Sequence, residues 1–253
     1  MKTLILIFSF IAFISLNNST LLAQQSQTVP LPNIGLNVGT SDNPDDLAVT
    51  LQLLLLLTIL SLAPSILIMT TSYLRIIIVF HFLKTALGTQ AMPPNQLLAG
   101  VALFITFFIM TPTWNDFNEN ALKPYLDKKI TVEEAYEKGV EPIRRFMLKN
   151  TRPEELKFFL ELASTPRPNS QADLPIQILI PSFVLSELRA GFIIGFFLFI
   201  PFVMVDMIVA SILMSMGMMM LPPMMISMPF KILLFVLVDG WSLVIGSVVR
   251  GIL

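Results

Sequence analysis

The sequence predicts an all-α integral membrane protein of broken hydrophobic helical hairpins, with a small soluble helical insert. Three observations support this fold class. Hydrophobic residues form 55% of the 253 positions, and the mean hydropathy is +0.77. Charged residues form only 13%, about half of what soluble domains usually contain. Most of these charges fall in one internal segment, and prolines interrupt several of the apolar blocks around it.

Composition excludes several function classes. A net charge of −1 gives no basic field for nucleic acid. The chain has no cysteine and a single histidine, His81, so neither a thiolate site nor a multi-histidine metal site can form. Sequence signatures of serine hydrolases, zinc proteases and phosphate-binding loops are missing as well. We therefore predict no catalytic residue, no metal ligand and no cofactor.

The first 46 residues predict a targeting segment. Lys2, the apolar run 4–16 and a small residue at Ala23 are typical of a signal peptide over residues 1–23. A retained signal anchor is the alternative, although the run is short for a membrane span. Residues 24–46 are rich in Gln, Asn, Pro and Gly, which is typical of a flexible leader.

Four apolar blocks follow, each long enough to approach one membrane crossing. They are 47–70, 95–111, 176–214 and 229–253. The first two belong to an N-terminal hydrophobic region, 47–112, and the last two to a C-terminal one, 176–253. Pro64 lies inside the first block, and we expect Pro181 and Pro201 to interrupt the third.

The connector at residues 75–94 sets the predicted topology. It carries Arg75, His81 and Lys84 without any acidic residue, which favours the cytoplasmic side. Four crossings then place both ends, and the segment 113–175, on the outer side. The run 74–87 is also strongly apolar, which equally allows this connector to pack against the helix bundle.

Residues 113–175 form the predicted soluble insert, with 21 of the 33 charged residues. Thr131 and Thr151 each precede a glutamate by three positions, the pattern of a capping box. We predict helices near 132–149 and 152–163. Phe146 and Phe159 are our candidates for packing against neighbouring subunits, with packing inside the insert as the alternative.

Ionisable residues within the apolar blocks are costly in a membrane and normally face protein or water. Glu187 and Arg189 are two positions apart and cannot pair with each other on one helix. Lys231 and Asp239 are eight apart, on roughly one face. We predict salt bridges between helices or subunits, and a proton or ion relay is the alternative. The charges concerned are Arg75, Lys84, Glu187, Arg189, Asp206, Lys231 and Asp239.

Two smaller patterns point to close helix contacts and to a deformable loop. Gly191 and Gly195 form a small-xxx-small pair, which lets helices approach. Eight of the 15 methionines fall within 214–228, where Gly217, Pro222 and Pro223 break any helix. Methionine repacks readily around different neighbours, so this stretch could form an apolar collar, or it could simply face lipid.

An intramembrane protease and a small-solute transporter are two other function classes to consider for an apolar chain with ionisable residues in its membrane blocks. Asp206 and Asp239 lie in successive apolar blocks, as the two carboxylates of an intramembrane aspartyl protease would, but the Gly-x-Gly-Asp pattern is missing. A self-contained small-solute transporter fits broken helices and buried charges better. Four crossings without an internal repeat are few for such a carrier.

Several segments together identify a family. They include Ala-Leu-Gly-Thr-Gln at 86–90, Pro-Pro-Asn-Gln at 93–96, Pro-Phe-Val-Met-Val-Asp at 201–206, Met-Gly-Met-Met-Met-Leu-Pro-Pro at 216–223 and Phe-Val-Leu-Val-Asp-Gly-Trp at 235–241. With 61–69, 71–79, 104–112 and 181–188, they make residues 47–253 resemble the FliP family of flagellar type III export-gate subunits.

The resemblance implies a helical, oligomeric export gate in the basal body, in the bacterial inner membrane. It implies several copies of the chain, described as a pentamer, with FliQ and FliR, together with FlhB and FlhA. The gate passes unfolded flagellar proteins outward. Met214, Met216, Met218, Met219 and Met220 match the family's methionine gasket around the pore. A subunit of the homologous injectisome gate is the alternative, and the 86–94 motif with the signal peptide favours the flagellar branch.

Overall fold

A computed structural model describes residues 44–89, 92–164, 174–218 and 220–253, with the backbone alone for 44–49. The predicted signal peptide and all of the predicted leader before residue 44 lie outside the described residues. The chain divides into two compact units, 1–52 and 53–253. Of the first unit, the described residues 44–52 form the first turns of a helix.

The described residues form helices without any strand, which confirms the all-α prediction. In chain order the helices are α1 (Pro44–Thr70), α2 (Tyr73–Leu87), α3 (Asn95–Phe117), α4 (Lys123–Leu126), α5 (Val132–Asn150), α6 (Pro153–Leu162), α7 (Ile176–Ser215), α8 (Pro223–Leu237) and α9 (Gly240–Arg250). One π-helical turn, Asn118–Leu122, joins α3 to α4.

Three helical stretches within the described residues are long and apolar enough to cross a membrane: Thr50–Thr70, Asn95–Leu126 and Ile176–Ser215. The pair α8 and α9, bent by 64° at a short break, is a fourth candidate. No residue of Thr50–Thr70 is buried by the rest of the described chain. Such a uniformly apolar and exposed helix has the surface expected of a lipid-facing or subunit-facing segment.

The third apolar block is one continuous helix of 40 residues, α7, which passes through Pro181 and Pro201. The first block is likewise continuous through Pro64. The interruptions predicted at Pro181 and Pro201 were therefore wrong. A proline removes a single backbone N–H, and neighbouring groups in a packed membrane helix can accommodate that loss.

The fourth block begins earlier than expected and breaks in its middle. Helix α8 starts at Pro223, because proline is favoured at the first position of a helix. It ends before Asp239, which has a left-handed backbone with φ of 50°. The Phe235 ring lies where a side chain on Gly240 would stand, and it packs edge-on against Trp241 with ring centroids 5.5 Å apart. Aromatic packing thus holds the bend.

Helix α2 lies at the centre of the main hydrophobic core rather than in a free connector. Its Ile76, Val79 and Phe80 are almost fully buried, so the second of our two alternatives for 74–87 is confirmed. Helix α7 packs directly against it. A Cβ at Gly191 would stand 3.0 Å from Ile78, and one at Gly195 would overlap the Phe82 ring.

The insert contains both predicted helices, α5 and α6. Thr131 caps α5, accepting a hydrogen bond at 3.3 Å from the Glu134 backbone N–H. The second capping box was wrong, because Arg152 is the N-cap of α6 and the Thr151 hydroxyl donates to the Met147 carbonyl at 2.7 Å. A second apolar cluster includes Met147 and Phe183 and fastens the insert to the start of α7.

We predict that Gly195→Ala destabilises the protein, because the new methyl group would overlap the Phe82 ring in the contact between α2 and α7. Overpacking of this kind costs about 1–3 kcal/mol. Gly100→Ala in α3 is the matched control, since its Cβ would meet no atom within 4 Å. Melting temperatures in detergent would compare the two variants, and equal values would refute the close-contact role of Gly195.

Candidate functional site

The methionine-rich stretch forms a tight loop between α7 and α8. Gly217 adopts φ of 76°, a left-handed conformation that favours glycine at a helix end. The loop folds back on α7 through the Gly217 N–H to the Met214 carbonyl and the Met218 N–H to the Leu213 carbonyl, both at 3.0 Å. Pro222 and Pro223 then start α8.

The thioethers of this loop point outward. The relative exposures of Met214, Met216, Met218 and Met220 lie between 45% and 98%, whereas Met219 lies outside the described residues. The chain itself therefore supplies little of the packing around these side chains. Because exposed apolar groups in a membrane protein meet lipid or another protein, the loop has the surface that a collar between subunits would need.

An ion pair fastens together the two helices that carry the loop. The Lys231 ammonium of α8 donates to Asp206 Oδ2 of α7 at 2.6 Å, and the Lys231 side chain is only 3% exposed. The Ser227 hydroxyl donates to the other carboxylate oxygen of Asp206. We call Asp206, Ser227 and Lys231 the loop base. Sequence reasoning missed Ser227, although it lies one turn before Lys231 on the same helix face.

A second ion pair joins α2, α7 and the C-terminal segment. The Arg75 guanidinium contacts both carboxylate oxygens of Glu187, with the Nε to Oε2 distance at 2.9 Å. Its Nη1 also donates to the Gly251 carbonyl at 2.8 Å. Both side chains are almost completely buried. Bidentate geometry of this type gives strong and directional pairing.

Arg189 finds its partner in the insert, where Glu155 accepts its Nη1 at 2.8 Å. Lys84 donates to the Asn95 side-chain oxygen rather than to a carboxylate. Asp239 is exposed and lies away from the Lys231 pair, which uses Asp206 instead. Three interhelical ion pairs thus form within the described chain, Arg75–Glu187, Glu155–Arg189 and Asp206–Lys231, although the sequence predicted none of these pairings. Their role between subunits stays a prediction.

The packing candidates already have neighbours inside the chain. Phe146 contacts Phe183 edge-on, with ring centroids 5.9 Å apart, and both glycines of the small-xxx-small pair contact α2. Phe159 is half-buried, beside the more exposed Phe158 at 5.2 Å. Packing of these residues between subunits remains a prediction.

The sequence matches the FliP family over residues 56–248. It is 54% identical over 216 residues to the flagellar biosynthetic protein FliP of Bacillus subtilis (strain 168), covering 85% of this chain and 98% of that protein. The FliP of Aquifex aeolicus (strain VF5) is 47% identical over 223 residues, covering 87% and 92%. That of Borreliella burgdorferi is 43% identical over 251 residues, covering 96% and 98%.

We predict that Glu187→Ala lowers the stability of the protein by about 3–5 kcal/mol, because it leaves the Arg75 charge buried without a counter-charge. Glu154→Ala is the control, since that carboxylate is exposed and lies 3.5 Å from Arg152. Unfolding in detergent would measure both variants.

A double variant separates charge from packing in this pair. Arg75→Met with Glu187→Met removes both charges, and replacing a buried ion pair with apolar groups is often neutral. It should therefore be more stable than Glu187→Ala. A double variant as unstable as the single one would contradict an unpaired-charge mechanism.

Proposed function

Because this chain belongs to the FliP family, it is a membrane-embedded subunit of the flagellar type III export gate, and we propose that its methionine loop is the gasket of that gate. The observation that carries the proposal is the pairing of an exposed thioether loop with a buried, ion-paired base. A gasket needs a soft tip that can yield and a fixed support that cannot.

The physical chemistry of the loop supports this role. A ring of apolar side chains expels water from a narrow pore and thereby blocks ions. Thioethers on unbranched, flexible chains repack around objects of varied shape. An unfolded polypeptide in transit could thus displace Met216, Met218 and Met220 without a matched binding site, and the ring would close behind it. This function requires no catalysis, and we propose none.

The proposal requires several copies of the chain around one pore. We propose a homo-oligomer, a pentamer by resemblance to the family, which assembles with FliQ and FliR and works with FlhB and FlhA. The complex would sit in the inner membrane at the flagellar basal body, with the insert 113–175 on the periplasmic side. The exposed apolar surfaces of α1 and α7 support assembly, because a single copy leaves them uncovered.

The gasket is tested by replacing Met218, Met219 and Met220 together with alanine. We expect the complex to assemble and the membrane to become permeable to ions and small dyes, because the apolar ring loses its bulk. Met69, Met204 and Met207, all exposed on α1 and α7, give a matched triple alanine control that should remain tight. Failed assembly without leakage would assign the loop to packing instead.

Native mass spectrometry of the gently extracted complex tests the assembly. We expect several copies of this chain together with the two proposed membrane partners, FliQ and FliR. A monodisperse monomer that moves small solutes across liposomes would instead support a self-contained transporter. The measurement is independent of the gasket, because loop variants can be compared within whatever assembly is found.

A further inference from the structure

Helix α9 has two unlike faces, although it lies in a strongly apolar part of the chain. Its buried face consists of Gly240, Val244 and Val248. An exposed strip beside it carries Ser242, Leu243, Ser247 and Arg250, with the half-buried Gly246 among them. We call these five residues the polar face of α9. Leu243 is its only large apolar residue.

The hydroxyl groups on this face have no partner within the described chain. Ser242 and Ser247 donate no hydrogen bond there, a property shared with Ser65 and Ser211. By contrast, the hydroxyl groups of Thr106, Ser182 and Ser186 each bond to the carbonyl four residues earlier. A hydroxyl in lipid without a partner is unfavourable. Water or protein would therefore suit these hydroxyl groups better than lipid would.

Charges stand at both ends of the polar face. Asp239 immediately precedes α9 and is exposed, and the Arg250 guanidinium bonds only to the Gly246 carbonyl, at 3.1 Å. The two charges are eleven positions apart, about 16 Å along a helix, so they cannot pair with each other. Neither has an oppositely charged partner within the described residues, unlike Glu187, Arg189, Asp206 and Lys231. Ionised groups in membrane segments face protein or water.

Water satisfies this combination more simply than a partner helix does. A helix packed on the polar face would have to supply a cation near Asp239, an anion near Arg250 and acceptors for two hydroxyl groups between them. Water hydrates all four groups at once. We propose that the polar face of α9 lines the water-filled path of the gate and touches the polypeptide in transit, an inference that rests on the proposed function.

The chemistry of this face suits an unfolded chain of any sequence. Serine hydroxyl groups both donate and accept hydrogen bonds, so they can exchange bonds with a passing backbone and with water. Asp239 and Arg250 are of opposite sign, so the polar face and the residue before it together carry no net charge. Such a wall retains neither acidic nor basic segments strongly, and Leu243 is the only large apolar side chain that it presents to them.

The absence of cysteine from the whole chain makes the proposal directly testable. Single variants Ser242→Cys and Ser247→Cys would be treated, in membranes that hold the assembled gate, with a membrane-impermeant maleimide. Val248→Cys on the buried face and Leu237→Cys, whose position is 74% exposed but apolar, are controls. We expect the serine variants to react at least about tenfold faster than both, because the reactive thiolate forms in water.

Two results would overturn the proposal. Reaction with a lipid-soluble maleimide alone would place the face against lipid, and failure to react with either reagent would place it against another protein. A second readout uses a flagellar protein fused to a tightly folded domain, which stalls in the gate. The stalled protein should slow labelling of Ser242→Cys and Ser247→Cys. Unchanged labelling would show that the polypeptide does not pass along this face, even if the face is in contact with water.

These outcomes are distinct from those that test the gasket. Labelling of α9 reports whether its polar face is wet, whereas leakage of the triple alanine variant reports whether the methionine loop seals. If the triple alanine variant does not leak and the serine positions are labelled rapidly, the gasket is rejected and the water-exposed face of α9 is supported. If the triple alanine variant leaks and the serine positions are not labelled, the gasket is supported and the water-exposed face is rejected.

Discussion

The buried contact between α2 and α7 organises the rest of the chain. Gly191 and Gly195 bring the two helices close together, and the Arg75–Glu187 pair then fixes their register. Because Arg75 also bonds to the Gly251 carbonyl, the same guanidinium fastens the end of α9 to this crossing. A buried pair of this kind contributes little net stability but is costly to break. Its role is better understood as specifying one arrangement of three segments over others.

From that crossing, α7 extends to the loop base, and the loop projects beyond it. In the loop base, the almost fully buried Lys231 pairs with Asp206, whose carboxylate also accepts a hydrogen bond from Ser227. These contacts hold α7 and α8 together next to the loop. The methionines beyond it have few contacts within the chain. The hairpin of α7 and α8 thus has a rigid part next to a deformable one. The loop base is held by electrostatic interactions, whereas the methionines interact with their surroundings mainly by dispersion.

Local chemistry was predictable from the sequence, whereas long-range pairing was not. Thr131 caps α5 because the side chain acts within one turn, and a local pattern is enough to identify it. The partner of Arg189 is 34 positions away in the insert, and nothing in the spacing of charges points to Glu155. Lys231 similarly pairs with α7 rather than with Asp239. The prediction that proline would interrupt α7 was wrong because the helix-breaking tendency of proline is measured in water. In an apolar environment, an unfolded segment would leave more backbone groups without hydrogen bonds than a helix with one proline does.

The length of α7 has a consequence for how the subunit is made. Forty helical residues span about 60 Å, twice the roughly 30 Å of bilayer hydrocarbon, and tilting by the usual limit of about 40° shelters only about two thirds of them. The remainder is mismatched to the bilayer thickness. The start of α7 packs on the insert of the same chain, where Phe183 is buried, and the proposed neighbouring subunits would cover the rest. In the proposed assembly, folding of the subunit and its association with other copies would therefore be linked equilibria, and both would depend on subunit concentration.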